Sequence, residues 1–394
     1  MSRRVAWISV VGVVLSGMLS AHGQEAGGVK FSKRCLMISP SESCALGDIN
    51  KDGKTDIVAG THWFAAPDFV PRPVRDIAET PKEFYANNGD QLYDVDGDGW
   101  LDVISMGWMG PEINWYKNPG EIGLKRGWKF PTQVLATARG QNEAAELKDF
   151  DGDGIPELFI SCWAKKDPQV VWKFTKDDKG QPAMTRIVIG DQGGGHGYAF
   201  GDVNGDGRED VLCEMGWYER PAQDVLSTLW KFHPETALPH PSCPFLVRDL
   251  NGDGRNDLIW GKAHDFGLFW WEQGQPQADG TTTWKEHLID DSWSQVHCLV
   301  MADLDGDGKA ELITGKRVRA HNDKDPGGLD PECLWYYTWD PKQLKFTRYT
   351  VSPLGGGVGS GMQICVADLN ADGRPDIAVA GKSGTWLLTN EGKK

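Results

Sequence analysis

The chain has 394 residues, 40% hydrophobic and 25% charged, with 56 Asp plus Glu against 41 Lys plus Arg and a net charge of −15. An acidic chain without a basic stripe is excluded from nucleic-acid binding. The length could hold two ordinary domains, but the repetition described below favours one.

At the N-terminus Arg3 and Arg4 precede an apolar stretch from Val5 to Leu19 and the small-residue run Ser20-Ala21-His22-Gly23. Basic, apolar and small regions in that order read as a secretory signal peptide. The apolar stretch is shorter than the ~20 residues that cross a bilayer, and no later run reaches that length, so no membrane span is expected. Residues 1–23 are expected to be removed and the mature chain to be secreted or periplasmic. Next, Val29 to Ile38 has the character of an outer strand, like Lys345 to Val351 near the other end of the chain.

From there the nonapeptide D-x-[DN]-x-D-G-x-x-[DE] recurs seven times, starting at Asp48, Asp94, Asp149, Asp202, Asp249, Asp303 and Asp368, in steps of 46, 55, 53, 47, 54 and 65 residues. A period of this size marks a propeller or solenoid. Two places before each first Asp stands an apolar residue (Leu46, Leu92, Leu147, Phe200, Val247, Met301, Val366), read as the buried face of an inner strand. After each loop comes an apolar second strand and then, in most repeats, a third strand containing Trp, as in Asn114-Trp115-Tyr116 and Phe269-Trp270-Trp271. The predicted fold is all-β, a single seven-bladed β-propeller over residues 24–394 with four-stranded blades. The chain ends after a third strand, Gly384 to Leu388, so the N-terminal segment is predicted to supply the missing outer strand and cover the open edge. A closed ring of this kind is expected to be a monomer.

Carboxylates or amides at positions one, three, five and nine, with a glycine at six, suit a hard cation that takes roughly six to eight oxygens. The expected calcium ligands, for up to seven ions, are Asp48, Asn50, Asp52 and Asp56; Asp94, Asp96, Asp98 and Asp102; Asp149, Asp151, Asp153 and Glu157; Asp202, Asn204, Asp206 and Asp210; Asp249, Asn251, Asp253 and Asp257; Asp303, Asp305, Asp307 and Glu311; and Asp368, Asn370, Asp372 and Asp376. Asp, Asn and Gly also favour plain turns, but a plain turn does not require an acid at position nine. The four loops with Asn at position three are expected to bind more weakly. Without Arg3 and Arg4 the charge of −15 becomes −17, and seven divalent ions would bring it to −3, relieving self-repulsion. Of the eight cysteines, Cys44, Cys213, Cys298 and Cys365 fall in apolar strand segments and read as buried free thiols.

The nonapeptide with its flanking strands resembles the FG-GAP and VCBS repeat families, which implies a calcium-binding propeller like that of integrin α chains. The stretches His196-Gly197-Tyr198-Ala199-Phe200-Gly201-Asp202-Val203-Asn204-Gly205-Asp206-Gly207-Arg208 and Gly216-Trp217-Tyr218-Glu219-Arg220-Pro221, with Asn114-Trp115-Tyr116-Lys117-Asn118-Pro119-Gly120 in an earlier blade, are similar to the propeller domain of aldos-2-ulose dehydratase-like secreted bacterial proteins. That similarity implies a lyase acting on keto-sugars; the cupin domains of the fungal enzyme have no counterpart in this sequence.

Each nonapeptide joins the first two strands of a blade, so the start of the first and the end of the second meet on the opposite face. Six places before each first Asp stand Glu42, Asn88, Glu143, His196, Cys243, His297 and Met362, expected to ring the mouth of the central channel. Second strands end at Lys262, Lys316 and Arg317, with His264 nearby. Proton abstraction α to a carbonyl needs a base, an acid and a cation near the developing enolate. Glu143, His196 and His297 are the candidates for base, acid or ligands of an additional divalent metal, with Lys262, Lys316 and Arg317 as anion stabilisers. The expected function is elimination on an oxidised sugar or glycoside; the alternative is a non-catalytic module that binds glycans or proteins.

Overall fold

A computed structural model describes residues 27–78, 85, 87–278 and 280–393. The expected leader lies outside the described residues. Seven four-stranded antiparallel sheets follow one another around a ring. In the first blade the strands are Ala45–Gly47, Asp56–Ala59, His62–Ala65 and Val70–Pro73. In the sixth they are Val296–Ala302, Glu311–Lys316, Leu334–Asp340 and Lys345–Ser352. The seventh is composite: Ile364–Ala367, Asp376–Gly381 and Gly384–Lys393 are completed by Val29–Met37 from the N-terminal end. That strand pairs antiparallel from Val29 opposite Lys393 to Met37 opposite Thr385, so the third strand runs past Leu388, where the sequence was expected to end it, as far as Lys393.

Each nonapeptide turns the chain through its own side chains. In all seven loops the first Asp accepts the N–H of the glycine at position six, at 2.7–2.9 Å. The carboxylate at position five accepts the N–H at position seven, at 2.8–3.0 Å. The acid at position nine is a strut as well as an expected ligand. One of its oxygens accepts the N–H at position two, at 2.8–3.1 Å. In the five loops where it is Asp, the other oxygen accepts an N–H from the exit of the third strand, at Ala66, Asn118, Arg220, Gln273 or Asn390. The ninth residue thus ties the loop to the strand two steps along.

The core lies between blades. Second strands are buried throughout, as in Asp56–Ala59 and Asp376–Gly381, and third-strand tryptophans Trp63, Trp115, Trp172, Trp217, Trp270 and Trp335 are at most 6% exposed. The apolar column two places before each first Asp is only half-buried, because the inner strands border the channel and pack on one side. Blades approach closely there: a Cβ on Gly201 would lie 2.4 Å from Cβ of Val247 in the next blade. Cys35, Cys44, Cys213, Cys243, Cys298, Cys333 and Cys365 are free thiols.

Candidate functional site

The seven residues six places before the nonapeptides are all buried, none more than 6% exposed. Four of them converge with residues from the ends of second strands. Arg317 closes the second strand of blade six and reaches across the ring, its Nε and Nη2 donating to the two oxygens of Glu42 at 2.8 and 2.9 Å. Its Nη1 donates to His297 Nε2 at 2.7 Å and to Glu143 Oε1 at 3.3 Å. Lys382 Nζ donates to Glu42 at 2.8 Å. Burial alone would raise the Glu42 carboxyl, but Arg317 and Lys382 override it and hold it at about 2. Glu143 has less cationic help, and burial raises its carboxyl above the ordinary value.

Three imidazoles share this floor. His196 Nδ1 lies 2.6 Å from the Pro241 carbonyl oxygen; a carbonyl only accepts, so Nδ1 carries the proton and Nε2 presents a lone pair. His264 Nδ1 faces Asp325 Oδ2 at 2.9 Å, which fixes the same tautomer. The two Nε2 atoms then face each other at 3.2 Å. Burial drives His196 down to about 3 and also lowers His264 and His297, so protonation does not relieve the opposed lone pairs near neutral pH. Glu143 Oε1 lies 3.8 Å from His196 Nε2 and 3.6 Å from His297 Nε2. His297 Nδ1 is buried without a hydrogen-bond partner.

A tetrahedral ion with bonds of about 2.0–2.1 Å holds its ligand atoms roughly 3.3–3.4 Å apart, and catalytic sites commonly use three protein ligands and leave a fourth position open. The ligand atoms of His196, His264 and His297 lie within 4.8 Å of one another, and the two opposed nitrogens are already at such a spacing; His297 would complete the set by exchanging the hydrogen bond its Nε2 accepts from Arg317 for the ion. The Pro241 carbonyl and Asp325 accept the far N–H groups of His196 and His264 and so orient the rings. His264, His321 and Asp325 form another close group. There, however, the rings are parallel within 2° at a centroid distance of 4.2 Å. In-plane lone pairs on stacked rings do not meet at one ion, so Asp325 is best read as accepting from both imidazoles.

Above the floor opens a cavity of about 160 Å³ lined by Tyr85, Asn88, Trp108, Met109, Glu143, Arg317, His321 and Asn322. Two expected anion stabilisers are not part of it. Lys316 turns away, its buried ammonium donating to Ser294 Oγ, Gln295 Oε1 and the Gly327 carbonyl at 3.1, 3.1 and 2.7 Å, where it pins the following loop. Lys262 places its ammonium over the Phe269 ring at 5.2 Å. Alternation along each second strand explains both, because neighbouring residues point to opposite faces and only one can enter the mouth. Sequence reasoning gave no role to His321, Asn322 or Asp325. They sit on the insertion between Lys316 and Leu334, and the signal for it was the 65-residue step, the longest in the chain.

At the opposite face, acids at positions one, three and nine bring ligand atoms within 4.8 Å of one another in the second, third and sixth loops. Burial pushes the ninth acid up to about 6 in Asp56 and Asp102 and to about 7 in Asp210 and Glu311, with neighbouring carboxylates adding to the rise. A donor set that strains against its own charge fits a hard cation.

Fold and repeat define a β-propeller with an acidic nonapeptide in every blade. The FG-GAP-like repeat family matches at residues 94–160, 149–213 and 249–314, and the chain is an FG-GAP-repeat β-propeller. Similar solved structures include the V. cholerae biofilm matrix protein Bap1, at 12% identity over 93% of this chain and 84% of that one with a TM-score of 0.41. Another is BBS1N in complex with ARL6DN, at 10% identity over 91% of this chain and 96% of that one with a TM-score of 0.47. No curated protein matches.

Proposed function

We propose that this propeller is an exported, calcium-stabilised carbohydrate lyase or dehydratase, acting on an oxidised sugar at the channel mouth with a divalent transition metal held by His196, His264 and His297. The observation that carries this reading is the pair of unprotonated ring nitrogens facing each other at 3.2 Å beside Glu143 and Arg317. An ion bound by three imidazoles would act as a Lewis acid on the carbonyl oxygen of the sugar. Glu143, 3.8 Å from His196 Nε2 and 3.6 Å from His297 Nε2, would take the proton α to that carbonyl. Arg317, preorganised by Glu42, donates to the oxygen on which charge develops. As the carbon–carbon double bond forms, the carbon–oxygen bond to the β-hydroxyl breaks, and the proton held by Glu143 leaves with that hydroxyl as water. Calcium in the nonapeptide loops would neutralise the lower face.

The product of such an elimination is an α,β-unsaturated ketone, which absorbs in the near ultraviolet. Incubating the zinc-loaded chain with aldos-2-uloses should raise that absorbance, and Glu143→Ala or His196→Ala should lower the rate at least about 100-fold, as loss of an acid–base group or metal ligand does. Saturable glycan binding by wild type without any absorbance change would replace the lyase by a binding module.

A further inference from the structure

The insertion on blade six carries a run of backbone that polypeptides avoid. Arg319, His321, Asn322 and Asp323 have φ of 53°, 48°, 57° and 62°, all in the left-handed region and none a glycine. Left-handed backbone in non-glycine residues costs free energy and persists only where surroundings impose it. Here the surroundings do so. Lys316 Nζ and Ser294 Oγ donate to the Gly327 carbonyl, Gln295 Nε2 donates to the Pro326 carbonyl, and Asp325 accepts from His264 and His321.

This anchoring stands His321 and Asn322 at the wall of the cavity whose floor is Glu143 and Arg317, with Tyr85, Trp108 and Met109 supplying aromatic and apolar surface. The side chain of Asn322 forms no hydrogen bond within the described residues, while His321, which lines the cavity, commits its Nδ1 to Asp325 and leaves Nε2 for a ligand. An amide offers donors and an acceptor together, and a hydroxyl needs both. Aromatic surface beside convergent polar groups suits the apolar face and hydroxyl edge of a pyranose.

We propose that the ridge Arg319–Asp323 is a sugar clamp, kept strained so that the Asn322 amide and the His321 imidazole grip the hydroxyls of a sugar ring seated over Glu143 and Arg317. The clamp deepens the carbohydrate reading and rests on it. A merely structural ridge and a clamp differ in how stability and binding move together. Asn322→Gly relaxes a left-handed residue and removes no internal hydrogen bond, so the melting temperature should hold or rise; Asn322→Ala keeps the strain without the amide and should melt lower than Asn322→Gly. Both should weaken binding of an aldos-2-ulose about tenfold or more by calorimetric titration, the loss of one or two hydrogen bonds in a closed site. Both should take up zinc like wild type. Wild-type sugar affinity in both variants would overturn the clamp and leave the lyase reading standing, whereas a wild type that takes zinc but binds no sugar would overturn both.

Discussion

Stripping divalent ions from the calcium-loaded chain with a chelator is expected to lower its melting temperature by about 10 °C or more. An extracellular-type loop held at tenfold excess over its dissociation constant contributes about 1.4 kcal/mol through mass action. Seven such loops add roughly 10 kcal/mol, and a chain of this size converts that into a shift of that order through its unfolding entropy. The structural reason is specific. Asp56, Asp102, Asp210 and Glu311 are each at most 3% exposed beside other acids, yet they must be charged to ligate. Without ions, neighbouring carboxylates repel at every loop, and the strut from the ninth residue to its backbone N–H groups is left bearing that charge. Scanning calorimetry with calcium, with chelator and with calcium restored checks the effect and its reversibility.

Arg317→Met is expected to destabilise the fold by about 3–5 kcal/mol, because removing one partner of a buried ion pair leaves the other charge without compensation. Glu42 would lose both of its bonds to the guanidinium and keep only Lys382. Adding Glu42→Gln to the same chain should recover part of the loss, a coupling that denaturant melts of the two single variants and the double variant would measure. The pH dependence has a definite sign. The Glu42 carboxyl is held at about 2, below its ordinary value of 4.5, so its contribution is complete above about pH 4.5 and fades as pH falls toward 2. Arg317→Met should flatten that acid limb.

The ring was legible because its signal is repeated. Seven nonapeptides at blade-length steps, with an apolar residue two places upstream and a Trp strand downstream, left few other ways to bury the chain. The closing strand was legible for the same reason, since a blade lacking its fourth strand needs one from elsewhere and Val29–Met37 has the right pattern. The column containing Glu42, Glu143, His196 and His297 could be read from strand alternation alone, and those residues do meet. Lys262 and Lys316 could not be sorted from Arg317 in that way, because one residue of register at the end of a second strand decides which side chain enters the mouth and which turns out. His321 and Asp325 escaped for a different reason. They depend on the path of an irregular insertion that has no periodicity, and on left-handed residues that no local propensity favours. The insertion was marked only by its length.

The proposed chemistry depends on the three imidazoles His196, His264 and His297. Cobalt(II) added to the chelator-treated, calcium-reloaded chain separates them from the nonapeptide loops, because a tetrahedral nitrogen site gives intense visible bands and an oxygen-rich octahedral site gives faint ones. One equivalent of intense, tetrahedral cobalt absorbance, displaced by zinc and abolished in His297→Ala, is the predicted result; only faint octahedral bands, identical in wild type and His297→Ala, would contradict it.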